Sequence, residues 1–184
     1  MILLLDNEEV SVKGVYDSET RTLTYLYTVR ENSLQRAIIF DSLDLSGISD
    51  ILGNKLSVNA DDIVIRATID RSNPVVENIT IDSNNTNNSL YATKDDVLTF
   101  TATLSEGVSG NVPTLKIKIG NETIELSGEL ESSDKIIYTH LVNSSNKGLV
   151  SFVSLSGGDL KDSAHNNLNL TYLDGLDKAI TVIN

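Results

Sequence analysis

Leu98-Thr99-Phe100-Thr101-Ala102-Thr103-Leu104 alternates apolar and Thr side chains across residues 98–104. Successive side chains of an extended strand point to opposite faces. This stretch therefore buries Leu98, Phe100, Ala102 and Leu104 and leaves its threonines on a wet face. Working outward, Leu115, Ile117 and Ile119 alternate with Lys116 and Lys118. The run then meets Gly120-Asn121 and continues as Thr123-Ile124-Glu125-Leu126, the pattern of two strands joined by a tight turn. Further strands are expected at 75–82, 134–142, 149–155 and 176–183, and no stretch carries the period of an amphipathic helix. Short strands with turn signals every ~8–12 residues read as an all-β sandwich.

Composition narrows the function. Apolar residues make up 40% of the 184, enough for a core, whereas aromatics are 5% and Trp is absent. That speaks against a stacking platform for sugars or bases, and so against a carbohydrate-binding module. The formal charge of −12 is shared: residues 1–72 carry 7 basic and 12 acidic groups, and residues 73–184 carry 7 and 14. An acidic body of this kind repels nucleic acid and anionic membranes, since phosphate binding depends on Lys and Arg. The absence of Cys excludes disulfides, thiolate metal sites and Cys nucleophiles. Met1-Ile2-Leu3-Leu4-Leu5 is too short for a signal-peptide core and reads as a strand. No segment has the apolar length to span a bilayer, so an export signal or anchor is expected outside this piece.

The chain also repeats itself. Phe40, Ser42, Leu43, Asp50, Asn54, Leu56, Asp62 and Ala67 recur as Phe152, Ser154, Leu155, Asp162, Asn166, Leu168, Asp174 and Ala179, each pair 112 positions apart. Upstream, Leu23, Tyr25 and Val29 answer Ile136, Tyr138 and Val142 at 113, and Asp6-Asn7-Glu8 answers Gly120-Asn121-Glu122 at 114. Small drifts are what hairpin-loop insertions produce, and periodic self-similarity is the signature of repeated units. Residues 1–72 then form a partial copy lacking its first two strands, and residues 73–184 a complete one. The break falls at Ile69-Asp70-Arg71-Ser72-Asn73-Pro74, where Pro74 cannot donate to a ladder. An upstream segment is expected to supply the missing strands, with Leu3, Leu5, Ile38 and Phe40 exposed without it.

Copy two also carries a series of short motifs. Asp70-Arg71-Ser72-Asn73-Pro74 is an Asp-x-x-x-Pro entry. Tyr91-Ala92-Thr93-Lys94-Asp95-Asp96 follows a Tyr-Ala-x-x-Gly-Asp pattern, with Asp95 in place of Gly. Leu104-Ser105-Glu106-Gly107-Val108 looks like a Phe-Ser-Glu-Pro-Val segment. Asp162-Ser163-Ala164-His165-Asn166 follows an Asp-x-Ala-Gly-Asn loop with His165 for Gly, and copy one keeps that loop as Asp50-Ile51-Leu52-Gly53-Asn54. In this order and spacing the motifs resemble those of the tandem bacterial immunoglobulin-like repeats of large surface adhesins. The resemblance implies immunoglobulin-like sandwiches in tandem, the first incomplete, on a cell-surface or secreted protein. It implies an architecture and an address, not a reaction.

In a sandwich of this type the entry linker, the loop after the second strand and the loop before the last strand meet at one end. That gathers Asp70, Glu106, Asp159, Asp162 and Asn166, hard oxygen donors of the kind Ca²⁺ takes. The resemblance implies calcium as well, because related repeats hold it at acidic junctions. Asp and Asn also build turns by side-chain to backbone bonds, and on sequence both readings stand.

Catalysis finds few members. His140 falls on the apolar face in the place of Tyr27 and reads as a polar-tipped core filler. His165 stands where copy one has Gly53 and reads as a left-handed turn residue. Gly157-Gly158 precedes no helix and is no phosphate cradle. Six Asn-x-Ser/Thr sequons start at Asn78, Asn84, Asn87, Asn121, Asn143 and Asn169, as an Asn- and Thr-rich chain produces without selection. The expected function is a non-catalytic structural or adhesive repeat, stalk or binding module, whose partners are neighbouring repeats and a surface ligand. The alternative is an accessory sandwich of an extracellular glycan-active or proteolytic enzyme.

Overall fold

Alternating side chains become strands in both halves of the chain. The computed structural model describes residues 1–5, 8–29, 36–59, 62, 63, 65, 67–171 and 175–184. Among them every regular element is β and none is an α-helix, so no helix is long and apolar enough to cross a membrane. Asp6, Asn7 and Asp174, three members of the sequence repeat, lie outside the described residues. The chain divides into two compact units, Met1–Arg71 and Ser72–Asn184.

Unit 1 holds β1 (Ile2–Leu5), β2 (Glu8–Ser11), β3 (Gly14–Asp17), β4 (Thr22–Tyr25), β5 (Arg36–Ser42) and β6 (Ala67–Ile69). They form one antiparallel sheet of order β2-β1-β5-β6 and a separate β3-β4 ribbon. Leu3 and Leu5 point inward from β1 and join Val12 and Ile69 in a small buried cluster flanked by Tyr25, Tyr27, Ile38 and Ile65. This corrects one expectation. Leu3 and Leu5 are 3% exposed, because Val12, Tyr25 and Tyr27 pack against the same cluster; Ile38 and Phe40 are half-buried.

Unit 2 holds β7 (Val76–Ser83), β8 (Tyr91–Ala92), β9 (Val97–Leu104), β10 (Thr114–Ile119), β11 (Glu122–Leu126), β12 (Gly128–Ser132), β13 (Lys135–Leu141), β14 (Gly148–Ser156) and β15 (Thr181–Val182). The sheets are β12-β13-β9-β7 and β11-β10-β14-β15-β8, antiparallel throughout except for the parallel β15-β8 pair. Each sheet sends alternate residues into one shared core: Ile79, Ile81, Leu98, Phe100, Ile136 and Tyr138 from the first, Leu115, Ile117, Ile119, Val150 and Val182 from the second. This is the two-sheet arrangement of a sandwich. The strand expected over 176–183 shrinks to β15. Upstream of it Leu176 makes a single bridge to Ile79, and the Asp177 carboxylate accepts the Ile81 N–H at 2.8 Å instead of continuing a ladder.

The two units share registers as well as order. In β1-β2, Leu3 faces Val10 and Leu5 faces Glu8; in β10-β11, Ile117 faces Ile124 and Ile119 faces Glu122. The β1-β5 ladder is irregular between Ile2 and Leu3, and the β10-β14 ladder between Lys116 and Ile117, 114 positions on. Gly14 faces Tyr25 across β3-β4 as Gly128 faces Tyr138 across β12-β13. The last strand is offset: Ile69 opposite Arg36 matches Val182 opposite Gly148, so Ala67 occupies the place of Ile180 and not of Ala179. Within the described residues unit 1 has counterparts of β10 to β15 and none of β7, β8 and β9.

Candidate metal centre

The loop between β14 and β15 is built on one carboxylate. Asp162 Oδ1 accepts the N–H groups of Ala164 and Asn166, both at 2.8 Å, and Oδ2 accepts the Asn166 side-chain amide at 2.8 Å. The chain closes on itself through Asp162 N–H to Asn166 O at 3.1 Å and His165 N–H to Asp162 O at 3.2 Å. His165 sits at φ 69°, the left-handed region, which brings its N–H back onto Asp162. On either side Lys161 bridges Asn167, and Leu168 N–H reaches Leu160 O at 2.9 Å, so Leu160 and Leu168 are drawn into the core.

Unit 1 repeats this loop bond for bond. Asp50 Oδ1 accepts the N–H groups of Leu52 and Asn54 at 2.9 Å, and Oδ2 accepts the Asn54 amide at 2.8 Å. Gly53 takes φ 84°, Ser49 bridges Lys55, and Leu56 N–H reaches Ile48 O at 3.1 Å. A short carboxylate that satisfies two backbone donors fixes a turn without help from the rest of the fold.

The loops differ in surroundings. Asp162 is 3% exposed, and within unit 2 its carboxylate and that of Glu106 offer oxygens within 4.8 Å of one another. Burial works against the charged form of Asp162, yet the Asn166 side chain, the Asn166 N–H and the Ala164 N–H outweigh it and hold the carboxyl below its usual range. It is therefore a carboxylate at neutral pH. A second carboxylate at this spacing repels it, and a divalent cation relieves repulsion of that kind.

Of the five residues singled out on sequence, Glu106 and Asp162 come together within unit 2, and Asp70 belongs to unit 1. Asn166 touches the group, with its amide nitrogen turned to Asp162. Asp159 does other work: its Oδ1 accepts the Asn111 N–H at 2.6 Å, bracing the loop before β10.

His140 is half-buried, and its Nε2 lies 2.9 Å from Asn146 Oδ1. Asn146, fully buried, also accepts the Asn143 N–H and donates to Glu122 Oε2 at 2.9 Å. This chain ties the turn after β13 to β11, and sequence reasoning missed Asn146 because nothing marks it among neighbouring Asn and Ser residues. No protein-family model, no curated protein and no solved structure matches this chain.

Proposed function

We propose that the chain is a non-catalytic structural or adhesive module of a cell-surface or secreted protein, built from two immunoglobulin-like units in tandem. The observation that carries this reading is the recurrence of strand order, register and loop bonding between the two units. The strand orders β12-β13-β9-β7 and β11-β10-β14-β15-β8 support this reading, because they run parallel to the ABED and C′CFG orders of immunoglobulin-type sandwiches with a short parallel edge strand added. Residues at which the sequence departs from the adhesin-repeat pattern support the same reading. Asp95 and His165 replace glycines of that pattern, and both hold positive φ, 73° and 69°, the backbone glycine adopts most readily.

In this reading Glu106 and Asp162 bind calcium and stiffen this pole of unit 2. Successive units of one fold suit a stalk, whose partners are its neighbouring repeats, and a ligand would be met on a loop or sheet face. Single-molecule pulling tests this. Unit 2 should unfold in one discrete step at a force that rises in calcium and falls in chelator. Gradual extension with no discrete step, the same in both, would remove the stalk reading.

A further inference from the structure

Unit 2 displays what the open side of unit 1 is shaped to receive. Strand β13 pairs with β12 on one edge and β9 on the other, and β15 pairs with β14 and β8. Their counterparts β4 and β6 each have one ladder partner among the described residues, β3 and β5. The difference is visible in exposure. Val29 is 46% exposed where Val142 is fully buried, and Leu56 is 47% exposed where Leu168 is 9%. Leu23 and Tyr25 are half-buried where Ile136 and Tyr138 are covered.

Two hollows in unit 1 lie beside β4 and the residues that follow it. One, of about 730 Å³, is lined by Val12, Leu26, Tyr27 and Val29. The other, of about 420 Å³, is lined by Met1, Leu23, Tyr25 and Ile48. Tyr138, the counterpart of Tyr25, is fully buried and its hydroxyl donates to Pro113 O at 3.0 Å, so unit 2 fills with chain the space that unit 1 leaves empty. An unpaired edge beside an uncovered apolar face accepts an added strand.

We propose that the β4 and β6 edges of unit 1 form a docking surface for a partner β-segment with the chemistry of Val76–Leu104, whose strand at Val97–Leu104 turns alternate apolar residues inward with Thr between them. The inference rests on the equivalence of the two units, which also sets the register. Phe100 faces Tyr138 and Ala102 faces Ile136, so a phenylalanine of the segment falls opposite Tyr25 and a small residue opposite Leu23. The surface is the uncovered counterpart of an interface the chain already makes within unit 2, which is why the occupant is an apolar β-segment and not a charged or helical one.

The experiment mixes the full ¹⁵N-labelled chain with an unlabelled peptide spanning residues 73–114 and follows amide exchange. The expected result is slowing of about tenfold or more at Thr22–Tyr25 and Ala67–Ile69, absent with a peptide carrying Phe100→Asp and Ala102→Asp. No slowing, equal slowing by the variant peptide, or protection confined to unit 2 would overturn the proposal. Slow exchange that instead tracks the concentration of the chain alone would overturn it in favour of a second copy as occupant. The equivalence fails separately, if the Gly14–Tyr25 pairing is missing from the chain without peptide.

Discussion

Gly128 lies beneath the ring of Tyr138 so closely that a Cβ on the glycine would stand 2.5 Å from Tyr138 Cε1, and Gly14 stands to Tyr25 in the same way, at 2.6 Å. Each glycine faces its tyrosine across a two-strand ribbon. A glycine that weakens a strand is compensated here by an aromatic ring laid over it. Tyr138 is itself fixed by burial, which pushes its hydroxyl well above the ordinary tyrosine range, and by the bond to Pro113 O, so the ring has no room to yield. Gly128→Ala should destabilise unit 2 by about 1–3 kcal/mol, the usual cost of overpacking. Gly14→Ala should cost unit 1 less, because Tyr25 is only half-buried. Denaturant melts check both, and a neutral Gly128→Ala would mean that the ring is mobile.

The left-handed residues should respond in the opposite direction. His165 and Asp95 hold φ 69° and 73°, which costs an L-residue more than glycine. His165→Gly and Asp95→Gly should each raise unit 2 stability by about 0.5–1 kcal/mol. Thermal melts of the single variants are sufficient, and a loss of stability would show that the side chains contribute more than the backbone strain.

Acid should undo the loop carboxylates. Asp162 lies below its usual range against the pull of burial, and Asp50 and Asp96 lie below it chiefly through the side chains of Asn54 and Asn85. Because the folded values are depressed, the stability these groups supply is present above the unfolded value of about 3.9 and is lost as pH falls through the lower folded ones. Stability should therefore fall with pH below about 4, with a shallower slope in Asp162→Asn. Parallel slopes in the two proteins would contradict the assignment.

Calcium should act through the same loop. A ligand bound only to the folded state stabilises by mass action, about 2.7 kcal/mol at a hundredfold excess over its dissociation constant. The unit 2 melt should rise with millimolar-scale calcium and fall back in chelator, and Glu106→Gln should reduce the difference. A melt unchanged by calcium would leave Asp162 with its turn-forming role alone.

Strands announced themselves where one face is buried. The Leu98–Leu104 alternation became β9, with every second side chain in the core. The edge strand β12, Gly-Glu-Leu-Glu-Ser, did not, because it buries no side chain fully and so carries no strict period. Its glycine is visible 114 positions after Gly14, yet nothing local indicates a tyrosine ring above it. The candidate site was legible to the same degree. Glu106 and Asp162 follow from the order of the loops, whereas Asp159 is claimed by Asn111, 48 residues away, through a backbone bond that no spacing encodes.

The central claim is that unit 1 repeats the β10-to-β15 portion of unit 2 in register. Nuclear Overhauser contacts across the strands of unit 1 in the intact chain test it most directly. The account predicts cross-strand contacts pairing Gly14 with Tyr25, Leu5 with Glu8 and Leu3 with Phe40, with the ladder irregular between Ile2 and Leu3. A register shifted by one residue in β1-β5, or a β3-β4 ribbon in which Gly14 faces any residue other than Tyr25, would contradict it.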